Sequence, residues 1–350
     1  MVRIKTRLHD AVAQVSEAYR VVSLLLLRAA AAHLPSRWAM ALADAVGFGL
    51  AATTIGARTR QSMWAMFQST GQNTDKLARE YLTRPFRDFV IARQIVEKRE
   101  KPANWPIESR GEPAILKAPG QSLIIAAGHF SRQAMSALYL PALIPKKLST
   151  VIAALDTPSG LRGTRLRLQL GAMAAGIRLV RQGDVDVVEI GKPGVVTGLL
   201  RRLRGQGGVV IIASDASWEA PGGVKRAFAG HSSNTFALGT AKLSRLAQCP
   251  IVVCVPFLDR DGHVVLEWGD LIPAPAREDE AADALVTNAI LDTIERAVGR
   301  RPGQYVLPIG QGRRWSATAE CWVEAADARP AASPALLAPS PRARRRQGTS

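Results

Sequence analysis

The chain has 350 residues, 47% hydrophobic and 21% charged, and its 46 Lys plus Arg against 29 Asp plus Glu leave a formal charge of +17. That much apolar sequence excludes a disordered chain and suffices for one large α/β domain with an appendage, while the charge favours phosphate-bearing partners: nucleic acid, anionic lipid, coenzyme A or an acidic carrier protein. The three cysteines, Cys249, Cys254 and Cys321, are odd in number and lack a C-x-x-C spacing, which speaks against a disulfide framework or a zinc site and fits a reducing compartment.

The N-terminal region bears on membrane contact. Residues 19–34, "YRVVSLLLLRAAAAHL", are apolar but interrupted by Arg28 and lack a small-residue cleavage site, so they are expected to stay on the protein. The next stretch, residues 38–57, is twenty residues long with Asp44 as its only charge, close to the length that spans a bilayer. Arg3, Lys5, Arg7, Arg20, Arg28, Arg37, Arg58 and Arg60 flank the two segments. Such flanks suit helices lying among anionic headgroups; a buried helical hairpin is the competing expectation.

From about residue 117 short β-rich runs alternate with helical stretches, the pattern of an α/β domain. Strands are expected at 122–127, 149–155, 177–180 ("IRLV"), 208–214 and 251–257, with 263–268 as a hairpin partner across "DRDG". Helices are expected near 133–142, 160–174, 192–204, 234–247 and 279–299, the last acidic at its start and basic at its end. From Ala325 onward Pro, Ala, Ser and "RARRR" replace any hydrophobic period. The expected organisation is therefore a helical, membrane-associating region at 1–115, an α/β domain at 116–324 and a disordered basic tail at 325–350.

Among the five histidines, His129 in "AAGHFSRQA" stands apart, at the C-terminal end of a buried-type strand. That edge of an open α/β sheet is where ligands usually bind. His9 and His33 lie in the helical region, His231 is expected in a loop and His263 opens a strand.

Six blocks in order, "GHF" (128–130), "GIRLV" (176–180), "LLRRLRGQGGVVIIASDASW" (199–218), "KRAFAG" (225–230), "TAKLSRLAQCPIVVCVPF" (240–257) and "PGQYVLPIGQGRRW" (302–315), together resemble the lipid A biosynthesis (lauroyl/myristoyl) acyltransferase family of the lysophospholipid acyltransferase superfamily. The resemblance spans roughly residues 20–315. It implies a mixed sheet flanked by helices, and an acyltransferase that takes a fatty acyl group from acyl carrier protein or coenzyme A. It further implies a lipid or glycolipid acceptor and residence at the cytoplasmic face of the inner membrane, with no cofactor beyond the acyl donor.

The family's mechanism uses a histidine with an acid five positions later. His129 matches the histidine, but Ala134 stands where the acid belongs. A carboxylate from elsewhere, among Asp156, Glu189, Asp215 and Glu219, is one resolution, with Asp215 first because it follows the strand 208–214 in the family's strand-end block. Gln133 or a backbone carbonyl orienting the ring is another, and a catalytically degenerate lipid- or carrier-binding protein is the third. Asp215 and Asp156 also fit ordinary loop or capping roles.

Cations at strand ends suit a thioester carbonyl that gains negative charge and a substrate that carries phosphate. Arg132, Arg181, Lys225 and Arg226 are the substrate-binding candidates, whereas Arg201, Arg202 and Arg204 read as a solvated basic face. Met135, Leu138, Leu140, Phe236, Leu238 and Leu243 would wall an acyl slot or simply form core. Ser131 lacks the G-x-S-x-G elbow of a nucleophile. A nucleic-acid binder is disfavoured by an aromatic fraction of 5% and the lack of a helix-turn-helix, RNP or zinc pattern. No P-loop or dinucleotide fingerprint occurs, so neither nucleotide nor metal cofactor is expected.

Overall fold

The computed structural model describes residues 2–98, 107–130, 148–152, 160–180, 185–205, 207–217, 222–259, 263–305, 307, 309–310 and 312–324. Three helices open the chain: α1 (Val2–His33), α2 (Ser36–Ala51) and α3 (Thr54–Phe67). Pro35 separates the first two, holding a φ of −53° as the residue before α2. The apolar stretch 38–57 is not one helix. It breaks at Ala52–Thr53, where the Thr53 hydroxyl donates to the Leu50 carbonyl at 2.6 Å and accepts from the Ile55 N–H at 3.3 Å, and α2 and α3 diverge by 83°. No single helix among the described residues is long and apolar enough to cross a membrane; the bent α2–α3 pair reaches that mark by length and composition only.

Helix α4 (Thr74–Lys98) joins this bundle to the sheet. Leu82, Phe86, Phe89 and Val90 pack with Leu24, Leu27, Ala39 and Ala43 of α1 and α2, while Ile91 and Ile95 pack beneath the strands. Each fully buried Leu, Ile or Phe of this kind contributes about 1.5–3 kcal/mol.

The main sheet has seven strands: β1 (Ile107–Arg110), β2 (Leu123–Ala127), β3 (Leu148–Ile152), β4 (Val185–Glu189), β5 (Val209–Ala213), β8 (Ile251–Leu258) and β9 (Val264–Ile272), in the order β1-β9-β8-β2-β5-β3-β4. All neighbours are parallel except the β8–β9 hairpin. Two short hairpins, β6 (Val224–Phe228) with β7 (His231–Phe236) and β10 (Arg313–Ser316) with β11 (Cys321–Glu324), lie outside it. The remaining helices among the described residues are α5 (Leu161–Val180), α6 (Val195–Arg204), α7 (Gly239–Ala247) and α8 (Ala282–Arg300).

Strand alternation divides the core between two faces. Ile124, Ala126, Val210 and Val253 face Leu199 and Leu203 of α6 and Ile290, Leu291, Ile294 and Val298 of α8. Leu123, Ile125, Ala127, Val209, Ile211 and Val252 face α4. Central strand β2 is therefore buried along its whole length.

The structure corrects several sequence expectations. "IRLV" (177–180) is the last turn of α5 and not a strand, because the Ala-rich helical run before it continues through; the strand is the β-branched "VDVVE" that follows at 185–189. Helix 234–247 starts only at Gly239, since residues 231–236 pair with β6, and His231 opens that strand instead of lying in a loop. Strand β1 brings residues 107–110 into the main sheet. The expected helix 133–142 and the tail 325–350 lie outside the described residues.

Candidate active site

Parallel pairing of β2 with β5 sets Ala127 opposite Ala213. The ladder continues past both strands, with the Ser214 N–H donating to the Ala127 carbonyl at 3.0 Å. Two residues beyond the matched alanines stand His129 and Asp215, so the register places them side by side on one face. Asp215 Oδ2 accepts the His129 backbone N–H at 2.7 Å, and Oδ1 lies 2.5 Å from ring Nδ1. The Asp215 carboxyl has no exposed surface, while the His129 side chain keeps 25% of its own. A buried carboxylate is the stronger acceptor, and it selects the imidazole tautomer with the proton on Nδ1 and the lone pair on Nε2.

Gly128 makes the turn that presents the histidine. The Phe130 N–H donates to the Gly128 carbonyl at 2.8 Å, and a Cβ at 128 would sit 2.9 Å from Ile294 Cγ2 and 3.1 Å from the Phe130 ring. Only glycine fits between α8 and that ring.

Tyr305, 2% exposed, lies against the residue that follows His129. Burial, followed by the negative charge of Asp215, pushes its phenol well above the ordinary value. Its backbone bridges antiparallel to Phe130, and the two rings lie 5.4 Å apart. Sequence reasoning did not single out Tyr305, although it lies in "PGQYVLPIGQGRRW"; a tyrosine in a loop carries no periodic signal.

The other candidates distribute differently. Arg226 is held by acidic side chains of α8, Nη1 at 2.7 Å from Asp292 and Nη2 at 2.8 Å from Glu295. Glu295 also receives Arg313 at 3.1 Å and the Ala229 N–H at 3.0 Å. Burial pushes its carboxyl above the ordinary value, against the pull of Arg226, the Ala229 N–H and Arg313. These ion pairs fasten the β6–β7 hairpin, which carries Arg226, to α8. Lys225 is exposed on β6. Glu189 ends β4, two strands removed from β5, and pairs with Lys192 at 3.0 Å. Arg132, Arg181, Asp156, Glu219, Ser131, Gln133 and Ala134 lie outside the described residues.

Phe236 and Leu243 are core residues. A cleft of about 820 Å³ lies along β4 and α6, lined by Ser149, Val188, Lys192, Gly194 and Leu199 among others, and neither His129 nor Asp215 touches it. Burial pushes the Cys249 thiol up to about 12 and raises that of Cys254 further, which makes both inert packing groups. No cluster of three metal-ligating side chains occurs among the described residues.

The chain is similar to the crystal structure of the 1-acyl-sn-glycerophosphate (LPA) acyltransferase, PlsC, from Thermotoga maritima, with a TM-score of 0.34 and 10% sequence identity over 74% of this chain and 97% of that one. No family model and no curated protein matches the sequence.

Proposed function

We propose that the protein is an acyltransferase that moves a fatty acyl group from a thioester of acyl carrier protein or coenzyme A to a hydroxyl or amine of a lipid or glycolipid acceptor. His129 is the general base and Asp215 the acid that orients it. One observation carries this reading: an imidazole at the C-terminal edge of a parallel sheet, a quarter of its side chain exposed and its Nδ1 2.5 Å from a fully buried carboxylate. An ordinary structural histidine has no need of both a buried acid and a partly exposed ring.

In the reaction, Nε2 takes the acceptor proton as its oxygen or nitrogen attacks the thioester carbonyl. The tetrahedral intermediate collapses by breaking the C–S bond, and the imidazolium returns the proton to the leaving thiolate. Asp215 stabilises the imidazolium throughout, buried where its charge is least screened. Lys225 remains the described candidate for an anionic part of the substrate.

The N-terminal helices supply the membrane side of the proposal, at the cytoplasmic face of the inner membrane. Val22, Leu25, Leu26, Trp38 and Phe48 are exposed, and Leu34, Pro35, Trp38, Ala41 and Leu42 line one apolar depression. With Arg28, Arg37 and Arg58 nearby in sequence, that surface matches an interfacial anchor resting on anionic lipid.

Ala134 favours a second reading, a protein of the same fold that binds lipid or acyl carrier without turnover. Single-turnover release of thiol from acyl-carrier and acyl-CoA donors, with membrane lipid as acceptor, separates the two. Release that vanishes in His129→Ala supports the enzyme; donor binding without release supports the binder.

A further inference from the structure

We infer that Thr240 is a positioning residue for the His129–Asp215 pair: its hydroxyl, bonded to that of Ser214, holds the loop after β5 in the place from which the Asp215 carboxylate reaches the histidine. The inference rests on the acyl-transfer reading only for its kinetic consequence; the arrangement itself stands on the geometry.

An acid five residues after the histidine would be carried by the same local segment. Asp215 comes instead from another strand, and the loop that carries it runs straight into solvent. Ala216 and Ser217 are exposed, whereas Asp215 is 2% exposed. Both oxygens of its carboxylate meet His129, one at the backbone N–H and one at ring Nδ1. An exposed loop offers little packing, so the restraint that keeps the carboxylate in place has to act on the backbone to either side of it.

Two such restraints come from the segment that joins β7 to α7. Before the acid, Ser214 Oγ lies 3.0 Å from Thr240 Oγ1. The Ser214 hydroxyl also donates to the Ile212 carbonyl at 3.4 Å, which makes Thr240 the donor to Ser214. After the acid, Ser217 bridges antiparallel to Phe236, the last residue of β7. The anchor is itself firmly held: Thr240 is 7% exposed in the first turn of α7, and Phe236 is fully buried with its ring 5.0 Å from that of Phe228. Shape alone at position 240 would be met by valine, which buries no hydroxyl. A buried helical threonine can satisfy its hydroxyl within its own helix, as Thr287 does on α8 by donating to the Asp283 carbonyl at 2.8 Å. Thr240 turns to the residue before the acid instead.

The test compares Thr240→Val, Thr240→Ser and Thr287→Val in the full chain. Thr287, 3% exposed, loses a hydroxyl of similar burial that bonds within its own helix. Two signals are read: the His129 Nδ1 proton by NMR, assigned by its loss in His129→Ala, and single-turnover thiol release. In Thr240→Val the proton is expected to exchange faster and broaden, and kcat to fall about tenfold with KM within about twofold of wild type. Thr240→Ser, which keeps the hydroxyl, and Thr287→Val are expected to leave both signals in place.

An unaltered Nδ1 signal in Thr240→Val overturns the inference, as does an equal change in Thr240→Ser or in Thr287→Val. If wild type releases no thiol, the acyl-transfer reading fails, and the Nδ1 signal alone decides the role of Thr240. If wild type does release thiol, an unaltered kcat in Thr240→Val also overturns the inference. Should Thr240→Val not fold, Ser214→Ala removes the other half of the hydroxyl pair. A faster-exchanging Nδ1 proton in that variant supports the inference, and an unaltered one overturns it.

Discussion

Asp215 meets His129 with both carboxylate oxygens, Oδ2 on the backbone N–H at 2.7 Å and Oδ1 on ring Nδ1 at 2.5 Å. The first contact fixes where the residue sits and the second fixes how its ring is turned. An asparagine keeps the shape but offers an amide N–H to Nδ1, which selects the wrong tautomer. Asp215→Asn is therefore expected to lower thioester turnover by roughly 10³–10⁴, about as much as His129→Ala. Single-turnover thiol release measures both. A rate for Asp215→Asn near that of wild type would remove Asp215 from the mechanism.

Gly128→Ala presses a methyl against Ile294 Cγ2 and the Phe130 ring, at 2.9 and 3.1 Å. Overpacking of this kind destabilises by about 1–3 kcal/mol. Urea unfolding of Gly128→Ala, Ile294→Ala, which removes the Cγ2 methyl, and the double variant gives the coupling. Recovery of part of the loss in the double variant is the expected result, and strict additivity would show that the clash relaxes elsewhere.

Leu26 and Trp38 are each 58% exposed on the N-terminal helices. Replacing both by glutamate removes apolar area and adds two negative charges. Binding to vesicles containing phosphatidylglycerol is expected to drop by more than about tenfold, with unchanged far-UV circular dichroism. Vesicle binding equal to wild type would leave this surface without a membrane role.

Burial pushes the Tyr81 phenol from its ordinary value of 10.0 up to about 12. Below pH 10 both folded and unfolded chains keep the proton. Between pH 10 and 12 the unfolded chain releases it while the folded chain retains it, so stability falls as pH rises. Tyr81→Phe is expected to flatten that part of the stability profile by on the order of 1–2 kcal/mol, measured by denaturation across the interval. Parallel profiles for variant and wild type would contradict the assignment.

The α/β alternation was legible because buried strands such as "LIIAA" and "VVIIA" and the hairpin "IVVCVPFL" to "VVLEWGDLI" carry local signals. "IRLV" misled because four apolar or β-tolerant residues look alike at the end of a helix and within a strand. His129 and Asp215 were legible as strand-end residues, but their contact depends on which strands are neighbours, and β5 beside β2 is written in no local pattern. Arg226 shows the converse: its type and place fit a substrate anchor, and only Asp292 and Glu295, more than sixty residues later, reveal its partners.

The match of Ala127 with Ala213 across β2 and β5 also ties chemistry to the completeness of folding. A base and acid five residues apart can assemble in a fragment or a loosely collapsed chain; a pair 86 residues apart exists only once the sheet has closed with its strands in step. A slip of one residue would turn one partner to the opposite face of the sheet. A partly folded chain would therefore be silent, and turnover would serve as a direct gauge of native sheet assembly during refolding.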